Sequence, residues 1–298
     1  MATYYVGSGG SDSNSGTSWA NRKLTLNGAE DIPVAAGDTV YVAPGTYRET
    51  LTVDVSGSSG NPITYIGDYS GDHTSGASGV VRVTGSNNDQ TPTRNNVVTV
   101  TGGHYRTFRG FSFDMGNTNQ VLFQVGGTST NWIIEDCVFA HSASSRLLNF
   151  EGGGSAHTVR RCLFAYSGSV GLYLTHSSTV NDTGTVIENC IFLATRQAGI
   201  RIGRIGGVTI RNCTTINCGS GIHVETALSS GQTVTVNNCI LTANTTALQS
   251  VSSGWLVEDY NSLFVNSTDR TNVSVGSNSN AYPPLFDVRW FFEAAGLG

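Results

Sequence analysis

The fold is decided by an eight-residue stretch, Trp-Ile-Ile-Glu-Asp-Cys-Val-Phe at 132–139, which recurs along the chain. Apolar and polar residues alternate within it, and a cysteine stands at the sixth position. The further copies are His-Thr-Val-Arg-Arg-Cys-Leu-Phe (157–164), Thr-Val-Ile-Glu-Asn-Cys-Ile-Phe (185–192), Val-Thr-Ile-Arg-Asn-Cys-Thr-Thr (208–215) and Val-Thr-Val-Asn-Asn-Cys-Ile-Leu (234–241). Their cysteines are separated by 25, 28, 23 and 26 residues, so the chain repeats with a period near 25.

A second short apolar stretch follows each motif, as at Leu172–Leu174 and Ile200–Ile202. Several short strands within one period predict a β-solenoid, because a leucine-rich repeat would show Leu-x-x-Leu-x-Leu and a propeller blade needs about 40 residues. The alternative fold, a two-sheet sandwich, would show hairpin turns and unequal strand spacing. We expect residues 1–281 to form a single domain, with an N-terminal cap and the first coil within 1–50.

Stacking of coils places equivalent residues in columns with a spacing of about 4.8 Å. The predicted inward column at the cysteine position contains Phe111, Cys137, Cys162, Cys190, Cys213, Cys239 and Tyr260. Two residues later come Phe113, Phe139, Phe164, Phe192, Thr215 and Leu241. Outward, two residues before the cysteines, come Arg109, Glu135, Arg160, Glu188, Arg211, Asn237 and Glu258. The alternating charges of this outward column favour a single register, since opposite charges on adjacent strands attract each other.

The composition argues against several classes of protein. Charged residues make up 12% of the chain, about half the usual ~25%, and the net charge is −5, so no nucleic-acid partner is predicted. No apolar stretch approaches the ~18 residues of a membrane span, so no membrane partner is predicted. Residues 1–3 lead directly into the strand-like Tyr4–Val6 without basic and apolar leader regions, so no signal peptide is predicted.

No Cys-x-x-Cys spacing occurs, so a zinc site is not predicted. We interpret the cysteines, including Cys218, as buried free thiols that pack as small apolar side chains, although stacked neighbours could approach disulfide distance. No metal or other cofactor is predicted. Calcium is a weaker alternative at two acidic loops, Asp12–Gly16 and Asp68 with Asp72 and His73, which we interpret as solvated turns.

The N-terminal 65 residues carry a further pattern. It consists of Tyr4–Val6, Gly10–Trp19, Ala36–Val42, Pro44–Glu49, Ser56–Gly57 and Asn61–Tyr65. This pattern resembles the opening of right-handed parallel β-helix proteins, a group that includes family 9 pectate lyases, uncharacterised surface proteins and phage-encoded proteins. The resemblance implies an all-β right-handed parallel β-helix with coils of about 25 residues. It also implies a short N-terminal helical cap, at about residues 19–32.

The chain departs from the lyases of this group in its chemistry. Family 9 pectate lyases are understood to use a lysine base on the coils and a calcium site of clustered aspartates. Here Lys23, the one lysine in the chain, lies in the predicted cap, and no Asp-Asp pair occurs. The paired aspartates and Gly-His-Gly of polygalacturonases are missing too. These differences favour a protein that is not an enzyme.

The best candidate site is the outward column of the second strand. This column contains Gln124, Asn149, Tyr173, Arg201, His223 and Gln249, and beside it fall Glu151, Thr175, His176, Arg204 and Glu225. From these we select a candidate glycan-binding face of Asn149, Glu151, Tyr173, Arg201, Arg204, His223 and Glu225. Arginine pairs with uronate or sulfate groups, and His223 with Glu225 could act as an acid/base pair. The alternative is that outward positions of a solenoid are simply polar.

These observations predict a non-enzymatic structural or adhesin-type protein, a decoration, fibre or spike of a phage particle, at a virion or cell surface. Its partners would be a polysaccharide ligand and, as a homotrimer, further copies or other virion proteins. The alternative is a carbohydrate-active enzyme, a lyase or hydrolase of an acidic polysaccharide. Residues 282–298, rich in Phe, Trp and Pro, are expected to cap the last coil or to contact another chain.

Overall fold

The computed structural model describes residues 1–32, 34–114, 121–142, 145–152, 154–182 and 184–280. The described chain winds into successive coils whose strands stack in three sheets, and every neighbouring pair within a sheet is parallel. The sheets enclose one continuous apolar core. The all-β parallel solenoid predicted from the 25-residue period is therefore confirmed, while the predicted C-terminal tail lies outside the described residues.

From β2 onward, each described coil contributes one strand to each sheet, and β1 adds a tenth strand to sheet A. Sheet A contains β1 (Thr3–Val6), β2 (Thr39–Val42), β5 (Ile63–Gly67), β8 (Arg106–Arg109), β11 (Trp132–Glu135), β14 (Thr158–Arg160), β17 (Val186–Glu188), β20 (Thr209–Arg211), β23 (Val234–Asn237) and β26 (Leu256–Asp259). Sheet B contains β3 (Gly45–Tyr47), β6 (Val81–Thr84), β9 (Ser112–Asp114), β12 (Val138–Ser142), β15 (Leu163–Ser167), β18 (Ile191–Leu193), β21 (Thr214–Ile216), β24 (Ile240–Thr242) and β27 (Ser262–Phe264). Sheet C contains β4 (Leu51–Val53), β7 (Val98–Val100), β10 (Phe123–Val125), β13 (Leu148–Glu151), β16 (Val170–Asn181), β19 (Ala198–Gly206), β22 (Ser220–Val224), β25 (Thr246–Ser250) and β28 (Thr268–Thr271).

The recurring motif is a strand of sheet A, a bend and the start of a strand of sheet B. The residue before each cysteine adopts positive φ, between 53° and 55° at Asp136, Arg161, Asn189, Asn212 and Asn238. Asn and Asp tolerate this left-handed conformation better than most residues, which explains their frequency at the bend. The cysteine that follows turns inward and is buried in every copy.

The inward phenylalanines form a stack along sheet B. The ring centroids of Phe139 lie 5.2 Å from Phe113 and 4.9 Å from Phe164, and Phe164 lies 4.7 Å from Phe192. Both rings adjacent to Phe164 are within 4° of parallel to it. The predicted order of these inward residues is therefore the order in the structure.

The outward column of sheet A has the predicted register up to Asn237. Glu135 pairs with Arg109 and Arg160, and Arg160 pairs with Glu188, in agreement with the alternating charges. The assignment of the last coil was wrong by one residue, because Asp259 pairs with Asn237.

The one-residue shift changes two predicted positions. Tyr260 is exposed at the bend with φ 57°, and Asn261 takes the buried cysteine position. Glu258 points inward instead of outward, where Arg270 Nη2 donates to its carboxylate at 2.8 Å. The Glu258 carboxylate is accommodated at this inward position because the Arg270 guanidinium, on β28 of sheet C, forms an ion pair with it.

The N-terminal cap is shorter than predicted. Its helix α1 spans only Leu26–Glu30, and Thr25 Oγ1 accepts the N–H of Gly28 at the N-terminus of the helix. Gly28 is required by packing, since a Cβ there would lie 2.1 Å from Asp12 Oδ1. Glu30 anchors the helix to the coils, because Arg106 donates to both of its carboxylate oxygens at 2.9 and 2.8 Å in a buried contact.

Replacement of Phe164 with alanine should lower the free energy of unfolding by about 3–5 kcal/mol, because the stacked ring would leave a cavity in the core. Leu163 is only partly buried, so Leu163→Ser is the adjacent control with a smaller expected loss. Denaturant unfolding of both variants measures the difference. Equal losses at the two positions would contradict the inward and outward assignment.

Glu188→Arg should place a third cation between Arg160 and Arg211, whose Nη2 now lies 2.6 Å from Glu188 Oε2. We expect a loss of about 0.5–1 kcal/mol that decreases with added salt, since like charges on adjacent strands repel and salt screens them. Glu188→Gln, which removes the attraction without adding repulsion, should lose less. A salt-independent loss in Glu188→Arg would rule out this interpretation.

Candidate functional site

The predicted outward column lies on sheet C in unbroken register. Gln124 pairs with Asn149, Asn149 with Tyr173, and Tyr173 with Arg201. The column continues through His223 to Gln249. The sequence alignment of the coils therefore places these side chains correctly, and the contacts among them decide which belong together.

A second row, beside this column, is interrupted by a glycine. Thr175 pairs with Gly203, and the N–H of Glu225 bonds to Ile202 O on the neighbouring strand. A Cβ on Gly203 would lie 3.1 Å from Tyr173 Oη and 3.2 Å from Glu225 Oε1. Because that space is empty, the Tyr173 hydroxyl reaches over Gly203 and donates to Glu225.

Two arginines surround the Tyr173–Glu225 pair. Arg201 Nη1 lies 3.4 Å from Glu225 Oε2, while its buried Nε has no hydrogen-bond partner among the described residues. The guanidinium of Arg146 lies over the Tyr173 ring, 4.3 Å from the centroid. We define Arg146, Tyr173, Arg201, His223 and Glu225 as the Tyr173 cluster.

The environment moves the pKa values of two members of the cluster in opposite directions. Burial, and secondarily the Glu225 carboxylate that accepts its hydrogen bond, raises the pKa of the Tyr173 phenol above its ordinary value. Burial, and secondarily the Arg201 cation, lowers the pKa of His223 below its ordinary value, while Glu225 opposes that shift. At neutral pH the phenol is therefore protonated and the imidazole is neutral. Such a pair can supply one acid and one base.

Asn149 is the register neighbour of Tyr173 but bonds to Gln124 and Glu151. The Asn149 amide donates to Gln124 Oε1 at 2.9 Å and to Glu151 Oε2 at 3.0 Å, and Gln124 also donates to Glu151. Asn149 is fully buried, and its Oδ1 has no partner among the described side chains and backbone. These three residues form a separate amide–carboxylate network earlier in the column.

Arg204 and His176 belong to a bulge next to the cluster. Thr175 pairs with Gly203 and Val180 pairs with Ile205, so β16 has three more residues than β19 between these two pairs. The extra residues of β16 project from the sheet. Arg204 Nη1 donates to Ser177 O at 2.9 Å and thereby braces this bulge. Its guanidinium stabilises the wall beside Gly203.

Arg146 is the member that the sequence reasoning missed. It precedes β13 and belongs to no repeated strand position, so the coil alignment carries no signal for it. The pairing of Tyr173 with Glu225, 52 residues apart, also depends on the glycine gap.

No group of three or more His, Cys, Asp or Glu side chains able to hold a metal ion occurs within the described ranges. In the two acidic loops, the Asp12 and Asp68 carboxylates accept hydrogen bonds from nearby backbone N–H groups. Asp12 accepts from the N–H groups of Leu24 and Thr25, and Asp68 accepts from the N–H of His73. Lys23, the residue compared with a lyase base, donates to the carbonyl of Asp12 at 2.6 Å.

In the part of the chain that the structure describes, no helix has the length and apolar character to cross a membrane.

Comparison with known families identifies the fold class. The family described as right handed beta helix region matches residues 96–278, more than half of the chain, so the protein belongs to this family. Among curated proteins, the uncharacterised protein YwoF of Bacillus subtilis (strain 168) is 44% identical over 61 residues. That match covers 20% of this chain and only 13% of YwoF.

Solved structures share the architecture at low identity. A structure described as the complex of XylC with xylose has a TM-score of 0.68 at 15% identity, over 93% of this chain and 70% of its own. An alginate lyase from Paenibacillus sp. str. FPU-7 has a TM-score of 0.64 at 16% identity, over 85% of this chain and 89% of its own. The pectate lyase Pel9A has a TM-score of 0.62 at 18% identity, over 95% and 79%. At these identities the similarity establishes the fold alone, and it confirms the resemblance to pectate-lyase-like β-helix proteins.

These findings correct the predicted function. A non-enzymatic structural or adhesin-type component of a phage particle is contradicted, because the structural neighbours of this fold include alginate, pectate and rhamnogalacturonan lyases and a pectin methylesterase. The missing lysine and paired aspartates do not exclude an enzyme, since solved structures of this fold include lyases and an esterase by name. The alternative, a carbohydrate-active enzyme, is the better-supported interpretation.

Proposed function

We propose that this protein is a carbohydrate-active enzyme that cleaves an acidic polysaccharide at the Tyr173 cluster. The observation that carries the proposal is the arrangement of a cation between a protonated phenol and a neutral imidazole on adjacent coils of sheet C. Alginate and pectate, the polymers in the names of two structural neighbours, are polyuronates, and Arg201 offers a partner for a uronate carboxylate.

Lyase chemistry fits the cluster better than hydrolysis does. A hydrolase uses two carboxyl groups that lie about 5–5.5 Å apart in retaining enzymes or about 6.5–9.5 Å apart in inverting ones. Glu151 and Glu225 occupy the same row but are three strands apart, which is about 14 Å at the spacing of a sheet. This pair of carboxylates therefore does not have the spacing of a hydrolase.

In the proposed elimination, Arg201 pairs with the uronate carboxylate and makes the proton on the adjacent carbon more acidic. The neutral His223 imidazole removes that proton, and the electron pair forms a C=C bond as the C–O bond to the leaving sugar breaks. The Tyr173 hydroxyl gives its proton to the departing oxygen. Glu225 is a positioning residue, because it accepts the Tyr173 hydrogen bond and holds the phenol beside Arg201.

Incubation with alginate and polygalacturonate should produce unsaturated uronate ends, detected by ultraviolet absorbance. His223→Ala and Tyr173→Phe should each lower kcat by about 100-fold or more, since general acid–base groups contribute roughly 10²–10⁴-fold. Arg211→Gln is the matched control for Arg201→Gln, because Arg211 lies on sheet A and pairs with Glu188. Of these two arginine variants, only Arg201→Gln should lose activity.

New reducing ends without unsaturated products would contradict the elimination and support a hydrolase. Full activity in both His223→Ala and Tyr173→Phe would remove the Tyr173 cluster from the mechanism. Circular dichroism of each variant checks that the coils remain folded.

The two charged neighbours of His223 should shift its pKa in opposite directions. Arg201→Gln should raise this pKa, because a nearby cation disfavours the imidazolium, and Glu225→Gln should lower it further, because a carboxylate stabilises the imidazolium. Titration of the imidazole signals by NMR measures both shifts, and His223→Ala assigns the resonance. Shifts in the same direction would show that the three groups do not share one electrostatic environment.

A further inference from the structure

A cavity lies on sheet A, whereas the Tyr173 cluster lies on sheet C. It has a volume of about 570 Å³, within the ~300–1,000 Å³ range typical of ligand pockets. The loop that connects β5 to β6 folds back to form one of its walls. The side chains that define it are those of Tyr41, Ile66, Tyr69, His73, Arg109 and Asp136.

One wall of this sheet A cavity is a row of stacked rings. Tyr5 and Tyr41 are register partners on β1 and β2, and their ring centroids lie 6.2 Å apart. The His73 ring, which comes from the loop, stacks on Tyr41 with centroids 4.2 Å apart and 16° between the planes. Tyr69, on the same loop, is 70% exposed at the rim. Of these residues, Tyr41, His73 and Tyr69 line the cavity.

The loop holds His73 in place through a buried carboxylate. Asp68 Oδ2 accepts the N–H of His73 at 2.9 Å and the hydroxyl of Thr74 at 2.8 Å, and Asp68 Oδ1 accepts from Ser70. The N–H of Gly79 closes the loop on Tyr69 O at 2.8 Å. These bonds fix the aromatic wall before any ligand arrives.

The opposite wall is polar and nearly balanced in charge. Arg109 donates to Glu135 Oε1 at 2.6 Å, yet about half of its side chain is exposed. Asp136 is bound by Arg161, which lowers the pKa of the Asp136 carboxyl and keeps it ionised. The wall therefore offers both donors and acceptors without a large net charge.

We propose that the sheet A cavity is a saccharide-binding site that takes one or more sugar rings of a polysaccharide. A pyranose ring has an apolar C–H surface that packs on aromatic rings, and a rim of hydroxyls that donate and accept hydrogen bonds. The cavity offers partners for both, since aromatic side chains line it together with the Arg109 guanidinium and the Asp136 carboxylate. The site goes beyond the proposed function, because it would hold a polymer at a distance from the Tyr173 cluster.

Binding is tested by affinity electrophoresis of the full chain in gels that contain alginate, polygalacturonate or xylan. At least one polymer should retard the protein. His73→Ala and Tyr69→Ala should each weaken that binding by about 3- to 10-fold, the loss expected for one stacking contact. Tyr166→Ala is the matched control, because Tyr166 is an exposed aromatic residue that stacks on His141 at sheet B, and it should bind like wild type.

His223→Ala separates this proposal from the proposed function, since it should lose cleavage but retain the retardation that the sheet A cavity provides. Retardation that is lost in His223→Ala and unchanged in His73→Ala would place the polymer at the Tyr173 cluster and overturn the proposal. Absence of retardation by all three polymers would overturn it as well, and so would equal losses in His73→Ala and Tyr166→Ala. Thermal melts confirm that each variant is folded.

Discussion

The parallel hydrogen-bond ladder between successive coils is the interaction on which the rest of the structure depends. An isolated coil could neither pair its backbone groups nor bury its inward side chains, so each coil is stable only against its neighbours. The ladder fixes a spacing of about 4.8 Å and places like positions above one another. The Phe139–Phe164 stack and the alternating charges at Glu135 and Arg160 follow directly from this register.

Two buried ion pairs stand at inward positions that are otherwise apolar. Near the N-terminus, Arg106 takes an inward position and bonds the carboxylate of Glu30 from helix α1. In the last described coil, Glu258 and Arg270 are both inward and bond each other. Loss of one partner of a buried pair costs about 3–5 kcal/mol, so these pairs hold α1 and β28 to the core.

The same register that builds the core also aligns the polar side chains of the candidate site. Tyr173, Arg201 and His223 stand on three successive strands of sheet C because the coil period repeats, not because a loop carries them. Two exceptions to the repeat distinguish these residues from the other polar side chains of sheet C. Gly203 leaves a gap, and the bulge of β16 raises a wall beside it. On sheet A, the long loop after β5 similarly converts a flat face into a cavity.

The amino-acid sequence by itself determined the coil period, the buried cysteine and phenylalanine columns, and the outward order from Gln124 to Gln249, because each follows from a local pattern that stacking repeats. It failed at the last described coil, where the motif degenerates and the inward Glu258 accepts hydrogen bonds from Arg270, Gly276 and Asn261. The tertiary structure alone decided that Asn149 and Glu151 form a separate network and that Arg146 covers Tyr173. These contacts join side chains on different coils through bends, gaps and bulges, whose geometry no single repeat encodes.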